Sequence, residues 1–588
     1  MPLHALAALL LAQSAPRELP VFVWRRGTET TEIVREFGGA CLGRLDRDEE
    51  LARAGLDSFV FNAPGRNDLH LERENERYQE RWKRWYDTRD DAFAVREPCL
   101  TAPETRARLE HLLDESLAAR EGRVGRGVSL GDEVGLTPGG APEDVCLSPT
   151  CRAAWREWWP LHAGLEGEAP ELASISTDAA RRALSEGDTR PLGPWLARRR
   201  FHQDVLQELL AHLARRVRER KPSAPVGLLG IAGQSAFGGV AVERSLGYLD
   251  FLECYRTGNA RELAFSLRRP EQSVWATLFL SPHGPATSVH AAWDHWIRGG
   301  GGFVVWSEAE LARAPEQRAA LRETLAKLRE LQGLRGAAVP RPRGIAIVHS
   351  PPSVAASWMR EALLDGATWP RRFQSWQDEH GALETARLRW FELAEEHGAM
   401  PAALPMERVG AVSAREFTLL VLVEQLVVDP ADLVRLREFR AAGGKLCIDG
   451  EFAWIDSRGE RRSDEQREAL RRELASLEPP ELFASLVPGV ARRTATEAWW
   501  KAAGVAGAPW TIAGDAHAKW TWASTWCELP RGILGAVLPR DARAPWPERV
   551  EIHPGDGLRL EPLHPASLED GSLALPPGNA AVFRLVPR

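Results

Sequence analysis

Two adjacent carboxylates, Asp132 and Glu133, close an apolar run in Ser129–Thr137 (SLGDEVGLT), just before a loop rich in Gly and Pro. A carboxyl at a strand end can act as a general acid or base, and glycoside cleavage uses two such groups across the scissile bond. Strand alternation sends neighbouring side chains to opposite faces, so Glu133 is the candidate acid. Asp132 is then a candidate contact for a substrate hydroxyl, unless the strand has already begun to turn. Two further acids occupy comparable places. Glu253 precedes Tyr255 by two residues in LDFLECY, and Glu308 follows Trp306 by two in FVVWSE. Period two puts the members of each pair on one face. A Trp beside a carboxylate suits stacking on a sugar ring. Glu308 also reads as the opening of a helix, EAEL, where the helix dipole favours an acid. The second acid is therefore either Glu308 or Glu253. Arg44 and Asn62, at the ends of the second and third strands, and Gln234 and Phe237, in the run after the fifth, are candidate substrate contacts by position. Gly299–Gly302 precedes a strand, so it reads as a tight turn and not as a phosphate cradle. No His-Glu-x-x-His or other metal-ligand spacing occurs, and no motif calls for a cofactor.

The elements that must position these groups alternate along the chain. Strands are expected at Val21–Trp24, Gly39–Leu45, Asp57–Asn62, Gly127–Gly131, Pro225–Gly230, Leu249–Cys254, Ser273–Phe279 and Gly302–Trp306, with helical stretches between them. Among these, Pro103–Arg120 carries Leu109, Leu112, Leu113 and Leu117 on one face, with Thr101 as its expected cap. Leu192–Arg220 is a longer amphipathic helix. Eight strands in this rhythm predict a (β/α)8 TIM barrel over residues 15–340, with its chemistry at the C-terminal strand ends. The charged, Trp-bearing stretch Leu71–Asp91 reads as an excursion over the barrel mouth. Trp155, Trp158 and Trp159 read as core residues of one helix. Residues 341–480 repeat the alternation on a smaller scale, with strands at Gly344–His349, Phe417–Val428 and Lys445–Asp449, and predict a parallel α/β domain. Residues 481–588 are poor in clear helices and end in short strands, predicting a small β domain.

Composition narrows the class. The chain has 588 residues, 44% hydrophobic and 27% charged, with a formal net charge of −7. That balance argues against nucleic acid as the partner, because phosphate binding needs a basic footprint. Trp is abundant, 23 residues against 4 Tyr, which favours a ligand offering flat apolar faces. Met1–Leu11, followed by Ala12-Gln13-Ser14, reads as a signal peptide over residues 1–14 and predicts a secreted or periplasmic protein. No stretch is long and apolar enough for a membrane span. Seven scattered cysteines exclude a disulfide scaffold. Only Cys146 and Cys151 lie close together, and they suit a bridge, a metal site completed from elsewhere, or buried thiols.

SLGDEVGLT followed by DVCLSPTCRAAWREWW (Asp144–Trp159) resembles the family-42 glycoside hydrolases, the β-galactosidase-like barrels. The resemblance rests on Glu133, Cys151, Trp155, Arg156 and Trp158. PRGIAIVHSP (Pro342–Pro351) and FRAAGGKLCIDG (Phe439–Gly450) resemble the flavodoxin-like, glutamine-amidotransferase-like trimerisation domain that follows the barrel in that family. The resemblance implies an oligo- or polysaccharide substrate, Glu133 as general acid/base and a homotrimer. Two positions depart from the family's pattern. Asp132 stands where an Asn is usual, and strand seven ends Thr277-Leu278-Phe279-Leu280-Ser281 without the expected nucleophile Glu. That absence leaves a second expectation open, a non-catalytic carbohydrate-binding protein on a glycosidase scaffold.

Overall fold

The computed structural model describes residues 19–24, 31–38, 40–43, 53, 55–71, 76–119, 127–233, 235–255, 259–282, 284–336, 344–372, 382–480, 490–513, 522–530, 532–540, 546–564, 568–569 and 572–588. The expected signal segment and the candidates Arg44 and Gln234 lie outside these residues.

Eight parallel strands close a barrel in chain order: β1 (Val21–Trp24), β2 (Ala40–Gly43), β3 (Asp57–Val60), β4 (Val128–Asp132), β5 (Val226–Ile231), β6 (Phe251–Cys254), β7 (Ser273–Phe279) and β8 (Gly302–Trp306). Their alternation fills the lumen in layers. Phe22, Phe59, Leu229, Phe251, Trp275 and Val304 form one buried layer, with Phe251 stacked on Trp275 at 4.1 Å. Two residues further along each strand lie Trp24, Phe61, Ile231, Glu253, Thr277 and Trp306. Period two therefore delivers one acid, Glu253, into the layer beneath the mouth. The entry to β8 is tight for steric reasons. A Cβ on Gly300 would meet the His295 ring at 2.1 Å, and one on Gly301 would meet Ser273 Oγ at 2.2 Å.

Around the barrel, Leu192–Arg220 forms one helix as expected, and the other expected amphipathic helix spans Pro103–Ala118. Thr101 does not cap it. The N-cap is Ala102, with no side-chain bond, because the Thr101 hydroxyl is engaged by Thr150 Oγ1 at 3.0 Å. Trp155, Trp158 and Trp159 are buried together, and Trp158 Nε1 donates to Asp204 at 2.8 Å.

The α/β domain is a four-stranded parallel sheet, β9 (Gly344–His349), β10 (Ala402–Pro405), β11 (Phe417–Val427) and β12 (Lys445–Ile455), ordered β10-β9-β11-β12. A helix at Val490–Ala503 corrects the expectation of a helix-poor region after residue 480. Trp500 of this helix stacks on His397 at 4.6 Å, so the helix belongs to the α/β domain. Among the described residues, eight strands from Trp510 onward form two four-stranded sheets. All three parts touch. Ser266 Oγ accepts from Ala403 N at 2.7 Å, His290 Nε2 lies 2.7 Å from Pro539 O, and Arg540 pairs with Glu395 at 2.6 Å.

Candidate active site at the barrel mouth

Strand β4 ends in a left-handed turn, with Glu133 at φ 51°. This region is costly for a side chain with a Cβ, and such residues gather where a site needs them. The turn overrides strand alternation. A Cβ built on Gly230 would lie 2.6 Å from Glu133 Cγ and 2.7 Å from Asp132 Oδ1, so both acids pack against one glycine. The expected opposite-face arrangement is thus replaced by two acids on the same side of β5. Glu133 N donates to Leu229 O at 3.0 Å, and Tyr255 Oη donates to Glu133 Oε1 at 2.9 Å. His70 Nδ1 lies 3.2 Å from the Glu133 carbonyl and 3.8 Å from its Oε2. The Glu133 side chain keeps 25% of its surface exposed. Burial, then the charges of Glu253, Glu133 and Asp132, push the Tyr255 phenol far up, so it remains a donor.

Glu253 lies beneath this group and is 2% exposed. Its two oxygens accept from Gly230 N at 2.6 Å and Thr277 N at 2.9 Å. Burial raises its carboxyl from 4.5 to about 6; these amides oppose the rise and the Glu133 charge adds to it. With both oxygens engaged by strand amides, Glu253 is placed to hold β5, β6 and β7 together beneath Glu133. The native state binds this proton more tightly than the unfolded chain. Its contribution to stability is therefore full below pH 4.5 and is lost as pH rises through about 6. The loss amounts to about 2 kcal/mol. In Glu253→Gln the amide NH2 must face one of the two backbone N–H groups, costing about 1–3 kcal/mol. The stability advantage of the native protein over this variant should be largest near pH 4.5 and shrink toward pH 7. Melting curves of both proteins across that range test this, and a constant difference would contradict it.

Glu308 opens the helix Glu308–Arg313 and is fully buried, so the helix-start alternative describes its position. Trp306 faces the mouth within an aromatic group, 4.8 Å from Trp24, which in turn lies 4.4 Å from Phe61. Strand β7 ends in Phe279, 51% exposed and 6.2 Å from Trp306. The β7 end of the mouth is therefore apolar. Asn62 is buried in a left-handed turn after β3, and neither atom of its amide has a partner. Phe237 is corrected: at 3% exposure it packs on Trp358 at 4.7 Å, with Arg199 4.6 Å over its ring, and so belongs to the core.

Cys146 and Cys151, which suit among other readings a metal site completed from elsewhere, do have a third sulfur beside them. Cys99 joins Cys146 and Cys151, and the three sulfurs lie within 4.8 Å of one another. Cys99 Sγ is 3.6 Å from Cys151 Sγ and 3.0 Å from Ser148 Oγ. Two thiolates on one tetrahedral zinc, bonded at about 2.3 Å, stand about 3.8 Å apart, so the trio fits such an ion with Ser148 or water as fourth ligand. Cys99 is 47 residues from Cys146 in the chain, a spacing no local motif marks. Protein produced with zinc present should carry about one ion per chain by elemental analysis. Cys99→Ala should lose it and melt lower, whereas metal-free protein of unchanged stability would contradict the assignment.

Compared by sequence, the chain matches no family model and no curated protein. Solved structures match along its whole length. A catalytic mutant of a GH42 β-galactosidase from G. stearothermophilus superposes with TM-score 0.65 at 12% identity, covering 98% of this chain and 99% of that one. The β-galactosidase from Bacillus circulans sp. alkalophilus gives 0.64 at 10%, covering 97% and 99%. An exo-carrageenase GH42 from Bacteroides ovatus gives 0.62 at 11%, covering 100% and 88%. At these identities the likeness is one of fold. Along its whole length the chain therefore shares the fold of these GH42 structures, a closed eight-stranded barrel followed by an α/β domain and β-sheets.

Proposed function

We propose that the chain hydrolyses glycosidic bonds at the barrel mouth, with Glu133 as the proton donor. The observation that carries this reading is the Glu133 carboxyl at the β4 end, partly exposed and hydrogen-bonded by Tyr255. Trp306, Trp24 and Phe279 supply apolar faces for a sugar ring. The names of the structural neighbours, β-galactosidase and carrageenase, favour a galactose-containing substrate. Among the described residues, Glu253 is sealed by backbone amides and β7 carries no acid. Glu133 then protonates the departing oxygen as its bond to the anomeric carbon breaks, and water, not a protein carboxylate, adds to that carbon and returns a proton to the Glu133 carboxylate. Export through the N-terminal segment and assembly as a trimer through the α/β domain belong to the same proposal.

Phe279 in place of a β7 acid favours a second reading, in which the mouth binds sugar without cleaving it. A screen of the purified chain on aryl-glycosides and oligosaccharides separates the two. Release of monosaccharide, retained in Glu308→Gln, supports hydrolysis. Binding without release from any substrate supports the second reading.

A further inference from the structure

His70 follows the short helix Arg66–Leu69 in the loop after β3 and lies against Glu133 at the end of the next strand. Two ties fix its segment there. Gly135 N donates to Leu69 O at 3.0 Å, and Arg96 Nη2 donates to Asp68 O at 2.8 Å. His70 Nδ1 is 3.2 Å from the Glu133 carbonyl oxygen and 3.8 Å from Glu133 Oε2. A carbonyl only accepts, so the neutral ring carries its hydrogen on Nδ1. The carbonyl it holds belongs to a residue at φ 51°, a conformation costly for a side chain with a Cβ. The two carboxyl oxygens are thereby made unlike. Oε1 accepts from Tyr255 Oη at 2.9 Å, so in the acid form the hydrogen lies on Oε2. Oε2–H then faces Nδ1–H across a gap too long for a hydrogen bond, and two donors do not bond one another. The opposite tautomer would present a lone pair at Nδ1 and draw that hydrogen to the ring.

We infer that His70 is a positioning residue for proton transfer. Its Nδ1–H, fixed on the Glu133 carbonyl, holds the left-handed turn that aims the carboxyl and leaves the hydrogen on Oε2 to the substrate. The inference rests on the reading that Glu133 is the proton donor. The proton passes from Oε2 to the glycosidic oxygen as the bond between that oxygen and the anomeric carbon breaks, and the electron pair of the bond stays with the oxygen. The carboxylate left behind regains a proton from the water that adds to the carbon. His70 stays neutral throughout, with its hydrogen on Nδ1.

Two substitutions in the full-length protein test this. His70→Leu removes the donor, whereas His70→Asn keeps an N–H where Nδ1–H stands and has no ring to titrate. On a methyl glycoside, kcat should fall about tenfold in His70→Leu, the upper range for one lost hydrogen bond, with KM within about twofold. On the matching 2,4-dinitrophenyl glycoside, whose aglycone departs without a proton, kcat should change less than about twofold. His70→Asn should stay within about threefold of the native protein on both substrates. Imidazole nitrogen NMR of the histidine-labelled protein, with His70 assigned by its absence in His70→Asn, should find the hydrogen on Nδ1. Four results would each overturn the inference while leaving Glu133 as the acid: hydrogen on Nε2, no loss in His70→Leu, an equal loss on both glycosides, or a loss in His70→Asn as large as in His70→Leu. Absence of turnover by the native protein on every glycoside would overturn the hydrolytic reading, and the role of His70 with it.

Discussion

Arg96→Met should destabilise the barrel domain by at least about 3 kcal/mol, because four buried or partly buried carbonyls lose their donor and a buried one left unpaired costs about 1–3 kcal/mol. The guanidinium is almost fully buried. It donates to Leu136 O at 3.1 Å, Pro98 O at 2.6 Å, Asp68 O at 2.8 Å and Gly135 O at 3.0 Å. Burial lowers its pKa to about 10, so it stays charged at neutral pH. It therefore ties the segment before His70 to the loop after Glu133. Its hydrogen-bond partners are thus backbone carbonyls and not a carboxylate. A lysine in its place presents a point charge where a planar fork is needed, so Arg96→Lys should recover only part of the loss. Turnover should fall in both variants, because the segments carrying His70 and Glu133 lose their common anchor. Near-ultraviolet circular dichroism, which reads the tryptophan-rich barrel, follows the melt. A midpoint within 1–2 °C of the native protein, well below the shift about 3 kcal/mol produces, would show that the carbonyls find other donors.

Much of the fold is legible in the sequence wherever an apolar run is sharply bounded. Strands β1, β7 and β8 begin and end where the residues predict; β1 and β8 are flanked on both sides by Pro, Gly or polar residues, and β7 is preceded by Gln272. The helix Val490–Ala503 was hidden because its apolar weight is concentrated in Trp499 and Trp500, which pack on Trp390 and His397 far away in the chain. Thr101 sits where a cap belongs, but a competing tertiary partner takes its hydroxyl.

The site is legible in part, and for a specific reason. Period two correctly groups Glu253 with Tyr255 on β6, yet it cannot say how deep in the lumen either lies. Depth separates them: Tyr255 reaches Glu133, whereas Glu253 meets only amides. Alternation failed at Asp132 and Glu133 because the chain turns left-handed between strand and loop. Phe237 follows a glycine-rich loop in sequence, but Trp195 and Trp358, from two distant helices, draw it into the core. The cysteine trio needs a contact across the Glu97–Pro149 segment, which no local spacing encodes.

The assignment of Glu133 as proton donor is tested most directly by the leaving-group dependence of Glu133→Gln. Gln keeps the shape of the side chain and can still accept from Tyr255, so the fold should survive. It cannot deliver a proton to the departing oxygen. On a methyl glycoside, whose leaving group is a poor one, kcat/KM should fall at least about a hundredfold, the lower range for loss of a general acid. On the matching 2,4-dinitrophenyl glycoside, whose aglycone departs without protonation, the fall should be far smaller. The ratio of the two losses is the measurement. A ratio well above ten is the predicted result; equal losses on both substrates, or no loss on either, would contradict Glu133 as the acid.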